Sequence, residues 1–270
     1  MSYDLQIRGA KELPTAEIKS LFSNTRGIEI EGDENGLMFV NKNTGVHFTV
    51  NSEEEYLDLS INYNRPSFFA IEALFRAIAL SKRFGWTIFD PQLEAEINLD
   101  EARIEPSLQC WRTGNAVALT QLSREKYCID PRTAYETWQY NYTLPTKDDE
   151  LQALGVDVYV PRIWYSEVDG RVITLVFAFN GIASMAIPDV DYIAVSRTGI
   201  LGKKRFGLLP RDTAFSVLAG FERPLAPLPC IPAFFSSSKS IDQILPKAKV
   251  SLGEIIQEEH LIDDPDFLER

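Results

Sequence analysis

Between residues 57 and 75 the chain reads LDLSINYNRPSFFAIEALF, and no other stretch limits its possible folds as strongly. Leu57, Leu59 and Ile61 alternate with Asp58, Ser60 and Asn62, the period-2 pattern of a strand with one apolar face. Asn62-Tyr63-Asn64-Arg65 interrupts that alternation. Pro66 then stands where a helix begins, a position at which its missing N–H costs nothing. Phe68, Ile71, Leu74, Phe75 and Ile78 follow at helical spacing, so the helix carries an apolar stripe that must be covered. A strand with one wet face feeding an amphipathic helix predicts a helix laid on an antiparallel sheet.

The flanking sequence supplies the rest of that sheet. Tyr3, Leu5 and Ile7 alternate as a first strand, Pro14 to Phe22 reads as a short helix, and Ile28 and Ile30 mark a second strand. The turn Gly32-Asp33-Glu34-Asn35-Gly36 closes it. Leu37 to Val40, Val46 to Val50 and Leu57 to Ile61 read as antiparallel neighbours joined by short polar connections. Trp86 to Phe89 adds a further strand.

Helices are expected over 107–122, 131–140 and 147–154, and strands over 156–165, 171–180, 182–187 and 192–196, then a helix over 210–218. Val172 to Phe177 is apolar on both faces, which predicts a central, doubly covered strand. The fold class expected is α+β, two lobes with mainly antiparallel sheets joined by a helical segment. Its parts are an N-terminal lobe at 1–92, a helical connector at 93–155, a β-rich lobe at 156–222 and a tail at 223–270. That tail holds five prolines between Pro224 and Pro246 and ends acidic. Ile255, Ile256 and Leu261 could anchor a short helix in it.

Charge narrows the partners. The 270 residues include 39 acidic and 27 basic side chains, a net charge of −12. Such a chain repels phosphate backbones and anionic lipid, so neither nucleic acid nor membrane is expected, and basic proteins are favoured. Three cysteines, Cys110, Cys128 and Cys230, form no close pair, which fits a reducing cytosol. No run approaches the roughly 20 apolar residues needed to cross a bilayer, and the N-terminus does not read as a secretory signal. A cytoplasmic location is expected.

No stretch carries a recognisable catalytic pattern. Only His47 and His260 are available as histidine bases or ligands; no metal site and no cofactor are expected. There is no Gly-x-Ser-x-Gly elbow and no Gly-x-Gly-x-x-Gly fingerprint. Gly199 to Lys204 comes nearest to a phosphate loop, but Arg197 stands where the first glycine would be, and Lys204 where Ser or Thr would be. The chain is therefore read as a binding protein and not an enzyme.

Seven further blocks share an order with a known group. They are Ser2-Tyr3-Asp4-Leu5; Thr44-Gly45-Val46-His47-Phe48; Ile61 to Phe69, INYNRPSFF, followed by Glu72-Ala73; Cys110 to Asn115, CWRTGN; Trp138 to Tyr142, WQYNY; Val158 to Arg162, VYVPR; and Ile187 to Tyr192, IPDVDY. In this order, over roughly residues 2 to 220, the chain resembles a poorly characterised family of bacterial cytosolic proteins thought to be immunity proteins of interbacterial toxin systems. The resemblance implies a protein that binds a cognate toxin and blocks it by occlusion. A toxin with a basic surface would suit the acidity.

Candidate contact residues are Asp33 and Glu34, Glu53, Glu54 and Glu55, and the tail carboxylates Glu254, Glu258, Glu259, Asp263 and Asp264. Asn64 and Arg65 have two readings, a polar plug at the strand-to-helix corner or part of a recognition surface. Trp111, Asn115, Trp138 and Asn141 are expected to lock the helices onto the sheets. The alternative function is an enzyme or small-ligand-binding protein with a pocket between the lobes, near Trp138 and Arg162.

Overall fold

The computed structural model describes residues 1–9, 14–22, 25–121, 126–155, 158–178, 185–198, 204–218, 222–223, 234–235, 245–248 and 250–263. The chain is an α+β protein with mainly antiparallel sheets. It divides into two compact units, 1–138 with 257–270, and 139–256, so the division falls inside a helix after Trp138. This line differs from the four segments expected from the sequence. Most of the connector and the end of the tail belong to the first unit.

The first unit is built on strands β1 (Ser2–Arg8), β2 (Ile28–Gly32), β3 (Gly36–Asn41), β4 (His47–Ser52), β5 (Tyr56–Asn62), β6 (Thr87–Asp90) and β7 (Ala95–Glu96). Their order in the sheet is β2-β3-β4-β5-β1-β6-β7, and every pairing is antiparallel. Register aligns Leu37, Val50, Leu59 and Leu5 across four strands, and all four are buried. The opposite face aligns Glu31, Met38, Thr49, Ser60 and Asp4. Alternation in the sequence thus becomes one dry face and one wet face.

Helix α1 (Thr15–Phe22) packs Phe22 edge-on against Phe39. Helix α2 (Ser67–Phe84) lays its stripe on the dry side, burying Phe68, Phe69, Ile71, Leu74 and Ile78. Each such side chain contributes about 1.5–3 kcal/mol when fully covered. Gly85 ends the helix at φ 72, where any other residue is strained, and its N–H returns to Ser81 O. Helices α3 (Glu105–Leu119) and α4 (Pro131–Tyr142) follow, with the short strand β8 (Tyr127–Cys128) between them.

One carboxylate joins the sheet, α2 and α4. Glu72 is fully buried on α2, and its Oε1 accepts from Asn41 Nδ2 at 2.6 Å. Oε2 accepts from Thr44 Oγ1 at 2.8 Å and from Trp138 Nε1 at 2.9 Å, and Arg76 stands 3.8 Å from Oε1. Burial raises the Glu72 pKa, while Asn41, Trp138, Arg76 and Thr44 pull it back. Asn and Trp can only donate here, so the site is shaped for the anion.

The second unit runs through α5 (Leu144–Ala153), β9 (Trp164–Val168), β10 (Arg171–Ala178), β11 (Met185–Ala186), β12 (Tyr192–Thr198), β13 (Lys204–Pro210) and α6 (Arg211–Leu218). It continues with β14 (Glu222–Arg223), β15 (Phe234–Phe235), β16 (Val250–Ser251) and β17 (Ile255–Ile256). One sheet has the order β16-β13-β12-β10-β9-β17 and another β11-β15-β14. Strand β10 is central, as its apolar faces require, with Leu175 and Val176 fully buried.

Three local expectations are corrected in this unit. No strand spans 158–163: Pro161 has no N–H for a ladder, and the amide of Asn141 takes both the N–H and the C=O of Ile163 at 2.9 Å. The ladder of the main sheet therefore begins at Trp164, and before it Tyr159 makes an isolated parallel bridge to Met185. Of the strand expected over 182–187, residues 185–186 form β11, which pairs with β15 and not with the main sheet, and β12 runs parallel to β10. The Asp191 carboxylate fixes that parallel register by accepting from Thr174 N and Oγ1, both at 2.8 Å. Ile255 and Ile256 form β17 beside β9, not a helix. The Asn180-Gly181 turn signal lies outside the described residues.

The chain then returns to the first unit. Strand β18 (Leu261–Ile262) pairs in parallel with β8, and both of its residues are buried. Replacing Glu72 with Ala strands donors from Asn41, Thr44 and Trp138. We expect a loss of about 3–5 kcal/mol, measured by urea unfolding with Trp138 fluorescence as one readout.

Candidate functional site

The strand-to-helix corner at 62–67 is closed from three directions within the first unit. Asn64 adopts φ 63, a left-handed conformation that asparagine tolerates better than most residues. Its N–H donates to Asn115 Oδ1 at 2.6 Å, and Asn115 Nδ2 donates to Arg65 O at 3.1 Å. A single buried amide on α3 thus holds the backbone of two successive residues, Asn64 and Arg65. Lys126 Nζ donates to Asn64 O at 3.1 Å and to Glu259 O at 2.6 Å. Arg65 Nη1 donates to Asn64 O and Glu259 O, and its Nη2 lies 3.7 Å from Glu259 Oε2.

The C-terminal return completes the corner. Asp263, 8% exposed, accepts from Ser67 N at 2.9 and 3.0 Å and from Ser67 Oγ at 3.2 Å. No side chain caps α2 from its own start. Asp263 does so from 196 positions away, where an anion is favoured by the helix dipole. Burial raises its pKa, against the pull of Ser67 and the Arg112 charge. Glu258 is buried beside Gly45, which sits at φ 73 and leaves no room for a Cβ against that carboxylate.

These placements sort the candidate residues. Asn64 and Arg65 spend their backbone and guanidinium groups inside the fold. Glu258 and Asp263 are buried, which corrects their reading as part of an exposed acidic face; distant donors decide burial here. Glu259 is half-exposed and held by Arg65 and His47. Glu254 is exposed, while Asp264 lies outside the described residues, as does Cys230. His47 packs edge-on against Phe69, with Nδ1 at 3.3 Å from Gly45 O. Burial raises the pKa of Cys110.

Trp138 is buried on Glu72, as described above. Trp111 is fully buried, 6.2 Å from the Tyr63 ring. In the second unit the Arg162 guanidinium lies over the Trp164 ring, 4.2 Å from its centre.

The remaining acidic candidates come together in space. The β2–β3 turn carries Asp33 and Glu34, and the β4–β5 turn carries Glu53, Glu54 and Glu55. Sheet register places both turns at one end, and Ser52 N donates to Asn35 O at 2.9 Å between them. All five side chains are exposed. Lys19, whose Nζ donates to Gly32 O at 2.8 Å, is a cation beside them. Carboxylates continue onto the wet face of the sheet. Ser60 Oγ bridges Asp4 and Asp58, and burial followed by the charges of Asp4 and Glu53 raises the pKa of Asp58.

A separate cleft of about 710 Å³ lies in the first unit among α2, α3, α4 and Asp263. Sequence reading missed it, because its walls combine helix residues between Ser67 and Tyr135 with Asp263 from the returning chain end. Among the described residues, no group of three His, Cys, Asp or Glu is placed to hold a metal ion. No helix among them is long and apolar enough to cross a membrane. Comparison with protein-family models, curated proteins and solved structures finds no match.

Two outcomes check this geometry. Asn115→Leu leaves the Asn64 N–H and the Arg65 carbonyl unmet and costs about 2 kcal/mol in chemical unfolding. Asn64→Gly costs less than about 0.5 kcal/mol, since glycine accepts positive φ and the Asn64 Oδ1 has no partner among the described residues. Asp263 supplies the second outcome. A carboxyl whose pKa is raised on folding binds its proton more tightly in the native state, so its contribution falls as pH rises above the unfolded value. Against wild type, Asp263→Asn therefore loses least stability at pH 7 and progressively more toward pH 4, measured by thermal unfolding across that range.

Proposed function

We propose that this chain is an immunity protein that neutralises a cognate bacterial toxin by covering it, using the acidic end of the first sheet. The observation that carries this reading is the meeting of two hairpin turns, separated by some twenty residues of sequence, into one exposed cluster of Asp33, Glu34, Glu53, Glu54 and Glu55. Rigid antiparallel hairpins suit a contact that needs shape and charge without a reactive group. A net charge of −12 speeds encounter with a basic partner and disfavours acidic ones. The block-wise resemblance to immunity proteins points the same way. The polar corner serves this reading as support for the sheet, not as the contact itself.

Co-expression with the product of a neighbouring toxin gene tests the proposal. The two chains should co-purify, and cells making the toxin should survive only with this protein present. No complex and no rescue would end the reading. Reversing all five carboxylates to Lys should lower the association rate about tenfold or more at low salt, measured by stopped flow or surface plasmon resonance. The unfolding midpoint should change little, since all five side chains are exposed.

A further inference from the structure

We infer that the cleft among α2, α3 and α4 binds an uncharged small molecule with an aromatic or branched body and a carbonyl acceptor, with Arg112 as its donor. The inference stands on the cleft alone, so it neither requires nor excludes toxin capture. The cleft's volume of about 710 Å³ falls within the roughly 300–1,000 Å³ typical of small-molecule sites. Phe68, Ile71, Val117 and Tyr135 give it apolar walls, and the last two leave large apolar surfaces open to solvent. Covering that surface requires an aromatic or branched body.

Charge inside the cleft is already answered. Asp263 accepts from the Ser67 N–H and hydroxyl, and the Arg112 charge acts on it as well. Arg112 Nη1 in turn donates to Glu105 Oε1 at 2.9 Å. An entering cation finds no unmatched carboxylate, and an entering anion finds a guanidinium that two carboxylates already share. Either ion would give up its hydration without a full partner, a cost that a neutral molecule escapes.

Hydrogen-bonding capacity, by contrast, is left over on one side. The Asn115 amide is taken up by Asn64 and Arg65, the Ser67 hydroxyl by Asp263, and the Thr113 hydroxyl by Gln109 O at 3.0 Å. Arg112 has five N–H donors, and its Nε and Nη2 donate to no other described residue. These are donors without acceptors, so the ligand must bring the acceptor. A carbonyl oxygen supplies one without adding charge.

Isothermal titration of the full chain at pH 7 with neutral 3-phenylpropionamide, anionic 3-phenylpropionate and the 3-phenylpropylammonium ion tests the inference. The amide should bind with Kd below about 1 mM and about tenfold or more tighter than either ion. Ala116→Trp fills the cleft from α3 and leaves its polar groups in place; it should abolish binding while circular dichroism stays native. Should that variant not fold, Arg112→Met decides, because it removes the donors and the charge acting on Asp263 together. It should weaken the amide about fivefold or more and end its advantage over the ammonium. Binding of either ion as tight as that of the amide, no binding by any probe, wild-type amide affinity in a folded Ala116→Trp variant, or wild-type selectivity in Arg112→Met would overturn the inference.

Discussion

The architecture of the first unit depends on a carboxylate at the far end of the described chain. Asp263 caps the N-terminus of α2, and α2 is the helix that covers the sheet. That contact is made only after the chain has passed through the whole second unit. The first unit is therefore discontinuous, and its closing piece is the segment 257–263. Leu261 and Ile262 contribute buried apolar surface beside β8, while the carbonyl of Glu259 gathers Arg65 and Lys126. The corner at 62–67 consequently behaves as a joint in which nearly every polar group has an internal use.

Two buried carboxylates follow a common logic. Glu72 and Asp263 both sit where burial disfavours charge, and both are met by oriented donors from separate elements. Such groups add less net stability than their hydrogen bonds suggest, because desolvation offsets much of the gain. What they supply is geometry. Glu72 accepts only if the β3–β4 turn, α2 and α4 stand in one arrangement, and Asp263 accepts only if the chain end reaches α2.

Much of this fold is legible in the sequence because it is local. The alternation of β3, β4 and β5, the proline before α2 and the glycine after it are short-range signals, and each reports what its own residues bury. The doubly apolar β10 likewise announces a central position. The signals fail where a partner lies far along the chain. Glu258 and Asp263 read as solvated acids because acids usually are; the donor and the turn that bury them, Ser67 and Gly45, lie some two hundred positions earlier. The stretch before β9 reads as strand because Val158, Val160 and Ile163 are apolar, yet Asn141 withdraws the Ile163 backbone from any ladder. The acidic turns were visible as separate runs, but only the sheet register brings them to one end.

The central claim is a division of labour: the corner at 62–67 looks inward and the hairpin ends at 33–35 and 53–55 look outward. Hydrogen exchange on the chain, alone and mixed with the toxin partner proposed above, tests this most directly. The account predicts that amides around 33–36 and 53–56 gain protection in the complex while those at 63–69, already slow in the free protein, do not change. New protection centred on 63–69 with unchanged exchange at both hairpin ends would contradict it.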